Sequence, residues 1–190
     1  VKQEGVTYSA IFVTSCVAND FGYVSKNISA AYYAFDRDHP EVFWLEGGVS
    51  SRAVAINGVY YVFFVLKDNA SPAFDLRSSK YQTAEAINAT IEARNTVVSK
   101  ITASIKTLPA AADKIRQLNK VLVDKNDYNQ AAVSSAGTVA TEGNLPWECL
   151  SALKAGTSVE PVCEGYARAF KVLCDQLGIP CVLVDGQAES

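Results

Sequence analysis

The chain has 190 residues, 49% of them hydrophobic, which is enough for one sizeable core or one core with a small appendage. A net charge of −3 and a pI near 5.2 leave no basic surface of the kind nucleic acid requires. No apolar run reaches the roughly eighteen residues of a membrane span, and one histidine with five cysteines and no C-x-x-C pair argues against zinc.

The chain starts at Val1 rather than Met and shows no signal-peptide pattern, so a processed or recombinant start is expected. Residues 6–17 mix β-branched and aromatic side chains and predict a strand. Asn19-Asp20-Phe21-Gly22 reads as a turn, and Ile28 to Phe35 as a short helix. Asp36-Arg37-Asp38-His39-Pro40 reads as a second turn, followed by the strand-like run Val42 to Leu45, which Gly47-Gly48 interrupts. Arg52–Ile56 and Val59–Leu66 flank Asn57-Gly58, the strongest short-range hairpin signal. Both faces of the second of these runs are apolar, so it is expected to be covered on both sides. Asp68 to Pro72 closes this β-rich region, which is assigned to residues 1–79.

A helical pattern follows. Ala84, Ile87, Ile91, Val98, Ile101, Ile105 and Leu108 share one stripe of a helix running from Lys80 to Thr107. Pro109 suits the first turn of a second helix, whose buried face is Ile115, Leu118 and Leu122. Residues 129–146 are small and polar, and a stretch of that length in a compact domain is a candidate substrate-side loop or lid, or a surface loop without a role. Trp147 to Leu153 reads as a short helix ending at Gly156. Trp147 is either an indole donor near a site or a core anchor.

Residues 160–188 organise the rest. Pro161 bars helix before it, and Cys163 falls in the first turn of a helix. Ala167, Phe170, Cys174 and Leu177 follow as its buried face. Gly178 stops that helix in the left-handed conformation, Pro180 blocks continuation, and Cys181 to Val184 reads as a strand closed by Asp185-Gly186. At a helix start the first N–H groups are unpaired and the dipole is positive, so a thiolate there is stabilised. The same N–H groups can cradle a developing oxyanion. Cys163 is therefore a candidate nucleophile, or else a small buried hydrophobe. Cys163 and Cys174 lie about three turns apart, too far to bridge, and the odd cysteine count leaves a thiol free or paired between chains.

Pro161-Val162-Cys163-Glu164-Gly165-Tyr166-Ala167-x-Ala169-Phe170, then Leu173, then Leu177-Gly178-Ile179-Pro180-Cys181 and Val184-x-Gly186, resembles the nucleophile segment of the bacterial transglutaminase-like superfamily. The match covers about thirty residues. Lys114-Ile115, Leu118, Leu122 and Tyr128 resemble the helix that precedes it, and the stretch around Asp38 to Trp44 resembles an upstream region of the same family. The resemblance implies an α+β, papain-like fold whose nucleophile helix packs on an antiparallel sheet, residues 80–190 supplying its helical half. It implies a Cys–His–Asp triad in that chain order, with Cys163 as nucleophile and Glu164, Gly165, Tyr166 and Trp147 near it. It further implies a protein or peptide substrate, no cofactor, and a secreted or cell-surface setting.

The histidine and aspartate belong to segments resembling His-Ala-Trp-Asn and Val-Asp-x-Thr-Trp, which would follow Ser190. The chain is thus a fragment, or shares its site with another chain, or lacks a full triad. His39 is either a base for Cys163 or a turn histidine. Calcium, used by animal relatives, has no visible acidic loop here. The strand at 181–186 is expected to pair outside this chain or leave a bare edge. Two functions follow: thiol acyl transfer or amide hydrolysis through a Cys163 thioester, or a non-catalytic module that holds a peptide or a cell-wall partner. A thiol–disulfide enzyme lacks the C-x-x-C spacing.

Overall fold

The computed structural model describes residues 2–3, 6–45, 50–68, 80–134 and 145–186, and over these the chain is a mixed α+β protein. It divides into two compact units, Val1–Asp36 with Trp44–Ser78, and Arg37–Phe43 with Ser79–Ser190.

The first unit is a small antiparallel sheet with one helix. β1 (Lys2–Gln3), β2 (Val6–Val17), β3 (Ser51–Ile56) and β4 (Val59–Asp68) are ordered β1-β2-β4-β3. The β3–β4 hairpin turns at Asn57 and Gly58, with φ of 51° and 79°, both in the left-handed region that a tight hairpin requires. Register shifts at Ser9/Ala10 and Phe12/Thr14 let Val13 join Ile28, Tyr32, Val62 and Phe64 in one core. The Tyr32 and Phe64 rings meet edge-on at 5.4 Å, and Phe21 stacks on Tyr60 at 4.4 Å.

Three expectations are corrected in this unit. Residues 19–22 form no turn: β2 passes directly into α1 (Ala18–Asp38), which absorbs the turn at 19–22, the short helix at 28–35 and most of the turn at 36–40. Asp20 in its first turn and Arg37 in its last oppose the helix dipole favourably, and Pro40 bars extension. The outer face of β4 is covered only in part, with Val65 buried and Tyr61 and Phe63 half-buried. Val62 and Phe64 face α1, whereas Phe12, 54% exposed, sits with Tyr61 and Phe63 on the other side. Val42 to Leu45 is no strand. It is turn-like backbone ending in a single bridge at Leu45, because Phe43 is spent as an anchor in the second unit, its ring edge-on to Tyr81 at 5.0 Å. Gly47-Gly48 and residues 69–72 lie outside the described residues.

The second unit is helical. α2 (Ala84–Ile105) begins where Thr83 Oγ1 accepts the Ala86 N–H at 3.2 Å, so it is shorter at both ends than the stripe predicted. Val98, Thr102 and Ile105 are its buried positions. α3 (Ala111–Lys125) buries Leu118 and Leu122 but leaves Ile115 39% exposed, and Pro109 stands outside it, ahead of the cap residue Ala110. α4 (Gln130–Ser134) occupies part of the expected loop, and residues 135–144 lie outside the described residues. A 3₁₀ turn at Leu145–Trp147 and α5 (Cys149–Leu153) are almost wholly buried and pack against α6 (Cys163–Gln176).

α6 ends as predicted. Gly178 has φ of 67°, the Ile179 N–H donates to Cys174 O at 2.9 Å and the Gly178 N–H to Asp175 O at 3.0 Å, the paired bonds of a Schellman cap. Its buried face differs from expectation. Gly165, Ala169, Val172, Leu173 and Cys174 point inward, whereas Ala167 is exposed and Phe170 and Leu177 are half-buried. Beyond the cap, Cys181 to Gly186 forms no strand with any described residue, since a strand exists only as part of a ladder; Val182 and Val184 stand 72% and 83% exposed. No helix among the described residues is long and apolar enough to cross a membrane.

Burial in this unit has a pH consequence. Burial raises the Tyr81 phenol from 10.0 to about 12, with help from the Glu148 carboxylate. It likewise raises the Cys174 thiol from 9.0 to about 12, with Cys181 second, and pushes the fully buried Cys149 thiol upward. A folded pKa above the unfolded one means the folded state binds the proton more tightly, so stability declines as pH rises between the two values. The melting temperature of the helical unit is expected to hold up to about pH 9 and fall progressively toward pH 12. A flat profile across pH 8–11 by calorimetry would contradict this assignment.

Candidate functional site

Cys163 is the first residue of α6. Val162 before it has extended backbone and no side-chain cap, so no side chain of the N-cap occupies the first N–H groups of the helix. The chain arrives there on a fixed path. The Val162 N–H donates to Pro146 O at 3.0 Å, and Pro161 and Val162 are buried. The Cys163 residue itself is exposed. It lines an open cleft of roughly 850 Å³ that also borders Tyr166, Ala167, Phe170, Leu122 and the extended segment 181–186. Ala167 and Phe170, two of the four residues that periodicity would have buried, thus line this cleft.

The other predicted site residues fall into separate roles. Glu164 Oε1 accepts from Arg168 Nε at 2.9 Å and from Arg37 Nη1 at 2.8 Å. Arg37 Nε reaches Asp185 Oδ2 at 2.9 Å, so the chain Arg168–Glu164–Arg37–Asp185 ties the segment after α6 to the start of that helix. Burial alone would lower the Arg37 pKa, but its hydrogen bond to Asp185 and the Glu164 charge outweigh burial and raise it. Gly165 is a packing residue. A Cβ there would collide with Pro146 O and lie 2.7 Å from Ser151 Oγ. Tyr166 lines the cleft and its hydroxyl donates to Asn126 O at 3.3 Å. Its phenol is raised, first by burial and then by the Glu160 and Asp127 carboxylates. Trp147 is half-buried at the end of the 3₁₀ turn and is not among the residues lining the cleft.

His39 does not face Cys163. Its Nδ1 lies 3.0 Å from Glu41 Oε1, in a separate recess with Arg94, Lys171 and Asp175. Among the described residues no group of three His, Cys, Asp or Glu side chains could hold a metal ion.

Three contributors escaped the sequence reading. Arg37 and Asp185 stand 148 positions apart, and nothing local signals their pairing. Tyr128, quoted only for its place after a helix, sits against the nucleophile position, where its hydroxyl accepts the Cys163 N–H at 3.4 Å. Asn126-Asp127-Tyr128-Asn129 has the composition of a turn, but nothing in it signals that the ring meets a residue 35 positions on.

Compared with family models, curated protein sequences and solved structures, the chain matches none.

Proposed function

We propose that the chain carries the nucleophile of a transglutaminase-like thiol acyl-transfer or amide-hydrolysis site. The observation behind this reading is the exposed Cys163 on the first residue of a buried helix, at the edge of an open cleft. In this scheme the Cys163 thiolate attacks a carboxamide or peptide carbonyl. The oxyanion gathers against the first-turn N–H groups of α6, the amine or ammonia leaves with a proton, and an amine or water then resolves the thioester. Among the described residues lining the cleft there is no histidine, and their two carboxylates, Glu164 and Asp185, are engaged by Arg37. The reading therefore requires a general base from outside the cleft walls described.

Iodoacetamide labelling of the folded chain near neutral pH, resolved by peptide mapping, tests it. Cys163 is expected to label at least tenfold faster than the half-buried Cys16 and Cys181, with Cys149 silent until unfolding. Labelling of Cys163 at the pace of Cys16 would end the nucleophile reading.

A second reading, a non-catalytic peptide-holding module, is supported by the segment 181–186. Its backbone joins no ladder among the described residues, and it borders the cleft with Cys181 and Leu183 half-buried and Val182 and Val184 outward. An extended peptide could add to such an edge by main-chain hydrogen bonds. Peptide binding that persists in Cys163→Ala without any thioester in the parent protein would favour it.

A further inference from the structure

One wall of the Cys163 cleft is the segment 181–186, and little holds it there. The cap of α6 fixes the chain as far as Ile179, whose N–H donates to Cys174 O at 2.9 Å. Among the described residues no backbone hydrogen bond reaches residues 181–186, and of these only Cys181 and Leu183 are half-buried. A segment with few buried apolar contacts and no ladder lies at the low end of local stability.

The polar contact at its far end runs from Arg37 Nε to Asp185 Oδ2, at 2.9 Å. The same guanidinium donates through Nη1 to Glu164 Oε1 at 2.8 Å, and Glu164 directly follows Cys163. Arg37 therefore joins the start of α6 to the end of the wall. The links of this chain are unequal. Glu164 is also held by Arg168, whose side chain is 8% exposed, through Nε and Nη2 at 2.9 Å each. Asp185 is 75% exposed, and an ion pair so open to water is weak and is screened by salt. The Arg37–Asp185 link is thus the first to give.

We infer that the segment 181–186 is a movable wall of the Cys163 cleft and that the Arg37–Asp185 ion pair is its latch. Latched, the wall flanks the groove that Ala167 and Phe170 also line. Released, it moves on the residues after Ile179 and widens the way to Cys163. A link of this strength suits the task, because it is made and broken without a large cost. The inference rests on the reading of this cleft as the site of Cys163 chemistry, and it supplies a control on access to that site.

The experiment follows Cys181, a half-buried thiol within the wall, by iodoacetamide labelling and peptide mapping, with Cys16 as reference. The full chain is compared with Asp185→Asn, Arg37→Gln and the double variant. Each single variant is expected to label Cys181 about two- to fivefold faster than the parent. The double variant is expected to be no faster than the singles, because both remove one interaction. Charge alone predicts something else: losing the carboxylate favours a nearby thiolate, and losing the guanidinium disfavours it. Opposite shifts in the two single variants, additive shifts in the double variant, or an unchanged Cys181 rate overturn the inference. Salt gives a second signature. At about 1 M salt, where charges are screened beyond roughly 3 Å, the parent is expected to approach the rate of Asp185→Asn, which itself responds little. If the buried Cys149 labels in Arg37→Gln, that variant has unfolded, and the salt comparison decides, a parent rate unmoved by salt overturning the latch. A bulky maleimide is further expected to gain on iodoacetamide at Cys163 in Asp185→Asn, by about the same factor. A constant ratio of the two reagents would mean that the wall does not limit the cleft. Slow labelling of Cys163 in the parent bears on the nucleophile reading alone, since the latch is read at Cys181.

Discussion

Replacing Gly165 with alanine is expected to destabilise the helical unit by about 2 kcal/mol or more, seen as a melting temperature lower by roughly 5–10 °C. Helix propensity alone argues the reverse, since Gly→Ala inside a helix normally gains up to about 1 kcal/mol. Sterics decide the sign. A Cβ at 165 would fall inside the contact distance of Pro146 O, 2.7 Å from Ser151 Oγ and 3.2 Å from Pro161 Cβ. The carbonyl is not free to step aside, because it already accepts the Val162 N–H at 3.0 Å. The alternative, backing α6 away from the 3₁₀ turn, would displace Cys163 two residues earlier and lose the contacts of Ala169 and Leu173, both fully buried. Gly22 in α1 provides the control. Nothing lies within 4 Å of a Cβ built there, so Gly22→Ala is expected to raise stability by about 0.5–1 kcal/mol. The same substitution in two helices thus carries opposite signs. A rise in melting temperature for both would show that α6 is not seated by this close approach.

What the sequence disclosed of this molecule was local chemistry. Asn57-Gly58 demanded a hairpin because few other pairs tolerate two consecutive left-handed residues, and the structure turns there. Gly178 demanded a helix end for the same reason, and Pro161 with the residues after it fixed where α6 begins. What failed was decided by partners at a distance. Asn19 to Gly22 has the composition of a turn, yet the helix it starts is held down by Ile28 and Tyr32 against the sheet, and that packing outweighs the weak preferences of four residues. Val42 to Leu45 has the composition of a strand, but Phe43 finds Tyr81 rather than a neighbouring ladder. Cys181 to Val184 likewise has strand residues and no described ladder to join. At the site, the helix-start placement of Cys163 was readable from Pro161 and periodicity, and its exposure agrees with the condition a nucleophile needs. The surrounding polar groups were not readable. Arg37 meets Glu164 and Asp185 from 127 and 148 positions away, and Tyr128 meets Cys163 from 35, separations at which spacing carries no information.

The buried face of α6 supplies the other large effect, as a contrast between two neighbours. Leu173→Ala is expected to cost about 2–5 kcal/mol, because Leu173 is fully buried and its removal leaves a cavity among packed helices that relax only in part. Phe170→Ala removes a larger side chain and is nevertheless expected to cost well under that, because Phe170 is half-buried and forms the floor of the open cleft rather than part of the core. Urea unfolding of the two variants, read at constant m-value, distinguishes these outcomes. If residue type alone set the cost, the phenylalanine would be the more expensive loss. The face assignment reverses that order, since what counts is the apolar area removed from water on folding. Phe170→Ala should instead act on the cleft, altering how fast a bulky, apolar thiol reagent labels Cys163 while leaving iodoacetamide labelling close to the parent rate. Equal destabilisation by both substitutions would mean that Phe170 is packed as core, and that the cleft beside Cys163 is closed by the protein's own side chains.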